Sequence, residues 1–227
     1  MFLYAMLRKM NRLTHLASGL TKSEYDLLSR LSTPVKIQDF LDALPMNFEV
    51  EGDTHYSPRS VLEEKKTHCI EGAMLAAAAL WIHGEPPVIM NLSARLGRGD
   101  VDHVIALYTR DGYYGAISKT NHAVLRFRDP IYRTLRELAL SYFNEWFLPS
   151  SGEKTLECYS QKLNLEKRFG TAWITEEHNL WEVAEALSIL PHYPLVPKGH
   201  WRYVRRADAM ERRAGGFREW SDDGRRA

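Results

Sequence analysis

The longest apolar run of the chain lies within residues 67–84, and this stretch predicts one helix. Its alanine, methionine and leucine residues favour helix, Thr67 can cap it, and Gly84 can end it with Pro86 beyond. Small side chains at Gly72 and at residues 76–79 leave nearly every face open to close packing. We therefore predict a central, enclosed helix rather than an amphipathic surface helix.

The segment before this helix also has helical periodicity. Residues 23–31 are predicted as a short helix, and Pro34 starts a second that runs to about Leu44, with Thr33 as its cap. The second helix has one apolar face, formed by Ile37, Phe40, Leu41 and Leu44. Residues 45–57 contain proline, glycine, aspartate and asparagine and are predicted as a loop.

After the apolar helix the pattern changes to strands. Residues 88–93, 103–109 and 113–118 are predicted strands, with Asp111-Gly112 as a tight hairpin turn between the last two. Residues 122–128 alternate in the same way and are predicted as a fourth strand. Hairpin spacing makes these strands antiparallel.

The rest of the chain is predicted to be mainly helical, with a piece around residues 156–165 that could be either extended or helical. Asp129-Pro130 can start a long helix to about Trp146, and residues 175–190 form another with Thr175 as its cap. Residues 201–214 are basic and are predicted as a third helix. The order of elements predicts an α+β fold, in which a central Cys-bearing helix packs on an antiparallel sheet of about four strands with flanking helices.

Length and composition indicate one domain. A chain of 227 residues with 44% hydrophobic content can bury one sizeable core. We predict a loosely ordered N-terminal segment over residues 1–21 and a single domain over residues 22–214. The part of that domain after about residue 150 is predicted as a helical extension, and residues 215–227 as a polar tail.

Charge and hydropathy exclude several classes of protein. A net charge of +1 argues against nucleic-acid binding, and the apolar run over residues 73–82 is too short to span a bilayer. The first ten residues lack the basic start and the cleavage site of a signal peptide. Two cysteines, Cys69 and Cys158, do not make a disulfide framework. We therefore predict a cytoplasmic protein that binds neither nucleic acid nor membrane, with its oligomeric state left open.

Cys69 is the leading candidate for chemistry. It lies in the first turn of the predicted helix, where unpaired backbone N–H groups and the helix dipole favour a thiolate. His103 opens a predicted strand directly after a turn and could act as its general base. An inert, buried thiol would give the same pattern, and spacing alone does not choose between the two. His68 would point about 100° away from Cys69 on a helix and is predicted as a rim or first-turn residue rather than a base.

The stretch from about residue 34 to residue 130 resembles the transglutaminase-like superfamily, whose fold is related to that of papain-like cysteine proteases. The matching motifs are Cys69-Ile70-Glu71 at the helix start, Gly84-Glu85-Pro86 before a strand, Asp102-His103-Val104 at the next strand, and Gly112-Tyr113-Tyr114 in the hairpin. The resemblance implies that Cys69 is a nucleophile and that His103 is its base. No cofactor is predicted, since a zinc site of His68, Cys69, His103 and His122 would lack CxxC or HExxH spacing.

The resemblance also implies an acidic residue on the strand after the histidine, where it would orient the imidazole. Ser118 occupies that place, and Asn121 lies three residues on. An asparagine has this role in papain-like relatives. Both residues are therefore candidates, although a neutral partner stabilises imidazolium less than a carboxylate does. Asp100 and Asp102 precede His103 and are predicted to point elsewhere.

Two functions from different classes are compatible with these residues. In the first, Cys69 attacks an amide or peptide carbonyl of a protein, peptide or small amide substrate. The thioester is then resolved by water, as in a peptidase or amidase, or by an amine, as in a transglutaminase-like acyltransferase. In the second, the domain has lost its carboxylate and serves as a non-catalytic binding or scaffold domain. Cys69 would then have an ordinary or raised pKa, and the basic, aromatic C-terminal part would bind the partner.

Overall fold

The computed structural model describes residues 12–221, so the first eleven residues of the predicted N-terminal segment and residues 222–227 of the predicted tail lie outside the described residues. The α-helices are α1 (His15–Ser18), α2 (Lys22–Arg30), α3 (Pro34–Ala43), α4 (Pro58–Glu64), α5 (Cys69–Ile82), α6 (Leu135–Phe143), α7 (Leu165–Phe169), α8 (Trp181–Ile189) and α9 (Ala209–Gly215). Short 3-10 helices span Ala172–Ile174 and His200–Tyr203. Across residues 12–221, no helix combines the length and apolar character needed to cross a membrane.

The strands form one antiparallel sheet, and they differ in length. They are β1 (Val88–Ala94), β2 (His103–Arg110), β3 (Tyr113–Ile117), β4 (Arg128–Tyr132), β5 (Leu156–Ser160), β6 (Leu163–Asn164) and β7 (His192–Pro194). Their spatial order is β4-β3-β2-β1-β5-β7, and β6 also pairs with β1. The predicted α+β class and the antiparallel pairing are therefore confirmed.

Alternate residues of the central strands face two separate cores. On β2, Val104, Ala106 and Tyr108 belong to the core that contains α5, whereas Ile105 and Leu107 belong to the core that contains α6. This alternation follows from the two-residue repeat of a strand. The sheet is thus a central layer with helices on both faces.

Helix α5 is enclosed along its length. Every residue from Ile70 to Ile82 is buried, and the helix packs against α2, α3, α4, β1 and β2. The sequence predicts Thr67 as the N-cap of this helix, but in the structure the N-cap is His68. Thr67 is unavailable as a cap because its amide donates to the Pro45 carbonyl and its carbonyl accepts from the Asn47 amide, in a parallel bridge.

The sheet has seven strands within residues 12–221, where the sequence predicts about four. Three of them, β5, β6 and β7, come from the predicted helical extension after residue 150, and β5 and β6 lie in the piece around residues 156–165 for which the sequence leaves extended and helical structure open. Each has five residues or fewer and is held by pairing with a distant strand, so its own pattern carries little signal.

The predicted fourth strand and the helix after it are both shifted. Strand β4 begins at Arg128, and Asp129-Pro130 lies within it instead of starting a helix. Proline is tolerated there because β4 is the edge strand of the sheet. Helix α6 starts at Leu135, and Thr134 is its cap, with the Thr134 hydroxyl accepting from the Glu137 amide at 3.1 Å.

The two ends of the described chain pack more closely than the sequence predicts. Leu13 and Leu20, from the segment predicted as loosely ordered, are buried in the core that contains α5. Trp220, from the predicted polar tail, is also buried. The predicted helix over residues 201–214 is divided between a 3-10 turn and α9, because Asp208 caps a new helix there.

A glycine lets the chain after β3 contact the first turn of α5. A Cβ at Gly72 would lie 2.7 Å from the Cβ of Lys119, which is fully buried. We predict that Gly72→Ala lowers the free energy of unfolding by about 1–3 kcal/mol through overpacking, as measured by urea denaturation. Leu96→Ala, at a side chain that is 98% exposed, is the control and should change stability by less than about 0.5 kcal/mol. Equal stability of the two variants would contradict the packing argument.

Candidate active site

Cys69 lies where two cavities meet. As the first residue of α5 it is partly accessible, and it lines one cavity of about 510 Å³ and another of about 370 Å³. Met46 and Phe48 from the loop before α4, and Val101 from the turn before β2, line both cavities. A substrate could therefore reach the sulfur from either side of the helix end.

His103, the first residue of β2, lies between Cys69 and Ser118. Its Nε2 is 2.7 Å from the Ser118 Oγ, and that hydroxyl donates to the Leu125 carbonyl at 2.6 Å. Because the hydroxyl has a single hydrogen, its oxygen accepts from Nε2–H of His103. Nδ1 is then the nitrogen left for the hydrogen bond between the side chains of His103 and Cys69.

The Ser118 backbone is clamped by Gln38 of α3. The Gln38 side chain accepts from the Ser118 amide at 3.0 Å and donates to the Ser118 carbonyl at 2.9 Å. The next residue, Lys119, donates to the Leu41 carbonyl at the end of the same helix at 2.8 Å. These contacts fix the hydroxyl that orients His103.

Asn121, the other predicted orienting residue, has a different role. Its Nδ2 donates to the Trp220 carbonyl at 2.8 Å, and its Oδ1 accepts from the Trp220 amide at 2.7 Å. Both ends of the amide therefore hold the C-terminal segment, while Ser118 contacts the imidazole. Gly215 and Arg218 of that segment line the cavity that contains His103.

Two aspartates near His103 are engaged by other donors. Asp102 accepts from the Asn91 Nδ2 at 2.8 Å and from the Ala94 amide at 2.9 Å. Asp100 accepts from the Trp146 Nε1 at 3.0 Å, and the Trp146 ring lies edge-on to His103 with 6.0 Å between centroids. The indole thus covers the imidazole while the carboxylate behind it holds the indole.

His68 lines the same cavity as Cys69 and lies closer to its sulfur than a separation of about 100° on a helix implies. Its Nδ1 lies 3.9 Å from the Cys69 Sγ, within hydrogen-bond range for sulfur. The expectation of a 100° separation assumes helical backbone at both residues, but His68 is the N-cap and has extended backbone, with φ −111° and ψ −168°. The spacing of His68 and Glu71 is that of a capping box, which is a signal that could have found the pair.

Glu71 joins His68 to the loop before α4. Its carboxylate is fully buried and accepts from the His68 amide at 2.9 Å, the Thr54 hydroxyl at 2.7 Å and the Tyr56 amide at 3.2 Å. The Asn47 Nδ2 lies 3.3 Å from both carboxylate oxygens. The Nε2 of His68 is 3.2 Å from Glu71 Oε1.

These contacts set the protonation of the thiol. Burial by itself would raise the pKa of Cys69, but hydrogen bonds and charges from His103 and His68 outweigh it and lower the pKa to about 5. Burial would lower the pKa of His68, but its bonds to Cys69 and Glu71 raise it to about 11. Cys69 is therefore a thiolate at neutral pH.

Comparison with known proteins assigns no family. No protein-family model matches the chain, and no curated protein matches it significantly in sequence. Within residues 12–221, no three His, Cys, Asp or Glu side chains are grouped so that they could hold a metal ion. The fold and site define an α+β protein with a thiolate at the start of a buried helix, between two histidines.

The thiolate has a direct chemical test. Iodoacetamide alkylation of Cys69 should follow its thiolate fraction, with a half-maximal rate near pH 5 and a plateau at neutral pH. Mass spectrometry separates it from Cys158, whose pKa burial raises above the ordinary value of 9.0. The two profiles should thus differ by several pH units, and a Cys69 profile like that of Cys158 would contradict the assignment.

Proposed function

We propose that this protein is a transglutaminase-like cysteine enzyme that acts on amide or peptide carbonyls through a Cys69 thioester. The observation that carries the proposal is the hydrogen-bonded series from Cys69 through His103 to Ser118, with the thiol pKa lowered to about 5. The α5 helix that carries Cys69 and the β2 strand that starts with His103 support the resemblance in their order and spacing. Either water or an amine can serve as acyl acceptor.

The first half of the reaction forms the thioester. The Cys69 thiolate attacks the carbonyl carbon, and the π electron pair of the carbonyl moves to its oxygen. The backbone N–H of Cys69, which has no partner within its own helix, can donate to that oxyanion. His103 in its imidazolium form gives the Nδ1 proton to the leaving nitrogen, so the C–N bond breaks and an amine leaves.

The second half releases the acyl group. Neutral His103 takes a proton from water or from an attacking amine, whose oxygen or nitrogen bonds to the thioester carbon. The C–S bond then breaks and returns the thiolate. The product is a carboxylic acid when water attacks and a new amide when an amine attacks, so hydrolase and acyltransferase activities share every residue of the site.

The alternative class is a non-catalytic binding or scaffold domain. Its motivation is Ser118 in the place of an acid, and it requires Cys69 to have an ordinary or raised pKa. The lowered pKa of Cys69 favours the enzyme instead. Deleting the C-terminal segment would not distinguish the two functions. Gly215 and Arg218 of that segment line the cavity of His103, so the deletion would disturb an active site as well as a binding surface.

Activity assays on the full chain test the enzyme directly. We predict that a panel of fluorogenic peptide amides, with and without a fluorescent primary amine, reveals hydrolysis or transfer that Cys69→Ala abolishes. His103→Ala should lower kcat by about 10²–10⁴-fold, the usual contribution of a general acid–base. Cys158→Ser is the matched control and should keep wild-type activity. Activity that persists in Cys69→Ala would overturn the proposal.

Ser118 allows a finer prediction. Ser118→Ala removes the oxygen that accepts from Nε2–H of His103 while leaving the Gln38 clamp on the backbone in place. We expect kcat to fall about 10-fold or more with KM nearly unchanged, because the loss affects ring orientation and not substrate binding. A change confined to KM would show that Ser118 acts on substrate rather than on the imidazole.

A further inference from the structure

We propose that His68 is a second catalytic imidazole of this site, a fixed imidazolium that holds Cys69 as the thiolate and leaves His103 free to transfer protons. The inference rests on the proposed function and adds a residue to it. It assigns separate tasks to the two histidines that flank the sulfur, and it makes Glu71 the positioning residue for His68.

The surroundings of the His68 Nε2 fix where its protons are. This nitrogen lies 2.8 Å from the Thr54 carbonyl oxygen, 3.2 Å from Glu71 Oε1 and 3.4 Å from Glu49 Oε1. All three neighbours are acceptors, so Nε2 carries a hydrogen. Two carboxylates beside it favour the charged ring, in which Nδ1 also carries a hydrogen and donates it to the Cys69 sulfur.

The position of the ring is determined by Glu71. That carboxylate is 0% exposed and is held by donors from three segments: the His68 backbone, the Thr54 hydroxyl and the Tyr56 backbone. Its charge is therefore not solvated by bulk water, and burial of an unpaired carboxylate is very unfavourable. Pairing with the His68 imidazolium compensates for that cost, so the ring and the carboxylate stabilise each other's charged form.

His103 has different surroundings. The partner of its Nε2 is the neutral Ser118 hydroxyl, whereas the Nε2 of His68 has two carboxylates beside it in addition to the Thr54 carbonyl. A neutral partner orients a ring without stabilising the charged form strongly. The proposal therefore assigns the proton transfers of the reaction to His103 and the fixed charge beside the sulfur to His68. The site has no carboxylate at residue 118, beside His103, but Glu71 supplies one beside the imidazole of His68.

The carboxylates, the lysine and the other two histidines that line the cavities do not replace His68. The cavity on the His68 side contains Glu49, Asp53, His55 and Asp102, and the other contains Asp100, Lys119, His122, Glu145 and Arg218. The carboxylates disfavour a thiolate. Lys119 donates to helix carbonyls, and burial lowers the pKa values of His55 and His122, so these rings favour the neutral form. The lowered pKa of Cys69 therefore depends on His103 and His68 together.

The test is the pH profile of Cys69 alkylation in His68→Asn, in the full chain. Asparagine is a favourable N-cap, so the variant keeps the helix start while removing the charge. We expect the midpoint to rise by at least one pH unit, which is a tenfold loss of thiolate on the acidic limb. Glu49→Gln is the control: it removes a carboxylate that disfavours the thiolate and leaves the His68 imidazolium in place, so it should not raise the midpoint.

The pH dependence of turnover distinguishes the roles of His68 and His103. In His68→Asn the pH–rate profile should move to higher pH, and activity should recover there because solution base can form the thiolate. In His103→Ala activity should stay low at every pH, since no group transfers the proton. Thermal unfolding of each variant controls for loss of structure.

Three results would overturn or support the assignment. A folded His68→Asn with the wild-type midpoint and pH–rate profile would make His68 only a cap and leave the proposed function intact with His103 alone. A raised midpoint in His68→Asn, with no rise in Glu49→Gln, supports the imidazolium. A wild-type midpoint near 9.0, with activity kept in Cys69→Ala, would instead overturn the proposed function itself.

Discussion

The burial of one carboxylate determines how the site is built. Glu71 lies in the first turn of α5 with no exposure to solvent, and a buried carboxylate must be paired and hydrogen-bonded. The donors that meet this need come from the loop before α4, at Asn47, Thr54 and Tyr56, and from His68. Contact with that loop therefore stabilises the first turn of α5. The orientation of Cys69 and the walls of both cavities follow from the same contacts.

The second condition is close packing around the start of α5. Gly72 gives the segment after β3 room to contact the helix directly, and Lys119 fills that space. Ser118 is thereby brought to the end of β2 where His103 begins, and Gln38 of α3 holds its backbone on the other side. The site thus combines α3, α5, β2 and the chain after β3, and each element contributes at most a few polar groups. Small shifts in any of them would separate the thiol from the imidazole.

Sequence patterns predict the centre of this structure better than its periphery. The α5 helix and the strands β1, β2 and β3 have strong local patterns, and the predicted positions of Cys69 and His103 follow from them. The strands β5 to β7 are short and depend on distant partners, so a local pattern misses them. Asn121 is misassigned because its partner, Trp220, is 99 residues away in sequence.

The adjacent charges on Cys69 and His68 have a consequence for folding energetics. In the unfolded chain at pH 7 the thiol, with its ordinary pKa of 9.0, holds a proton, and most of the His68 population, with its ordinary pKa of 6.5, does not. In the folded chain the sulfur has lost a proton and the ring has gained one, so folding transfers a proton internally and exchanges almost none with solvent through this pair. By linkage, the pair makes a nearly pH-independent contribution to stability between about pH 6.5 and 9. Its contribution is lost as pH falls toward 5, where the thiolate protonates, and as pH rises toward 11, where the imidazolium deprotonates.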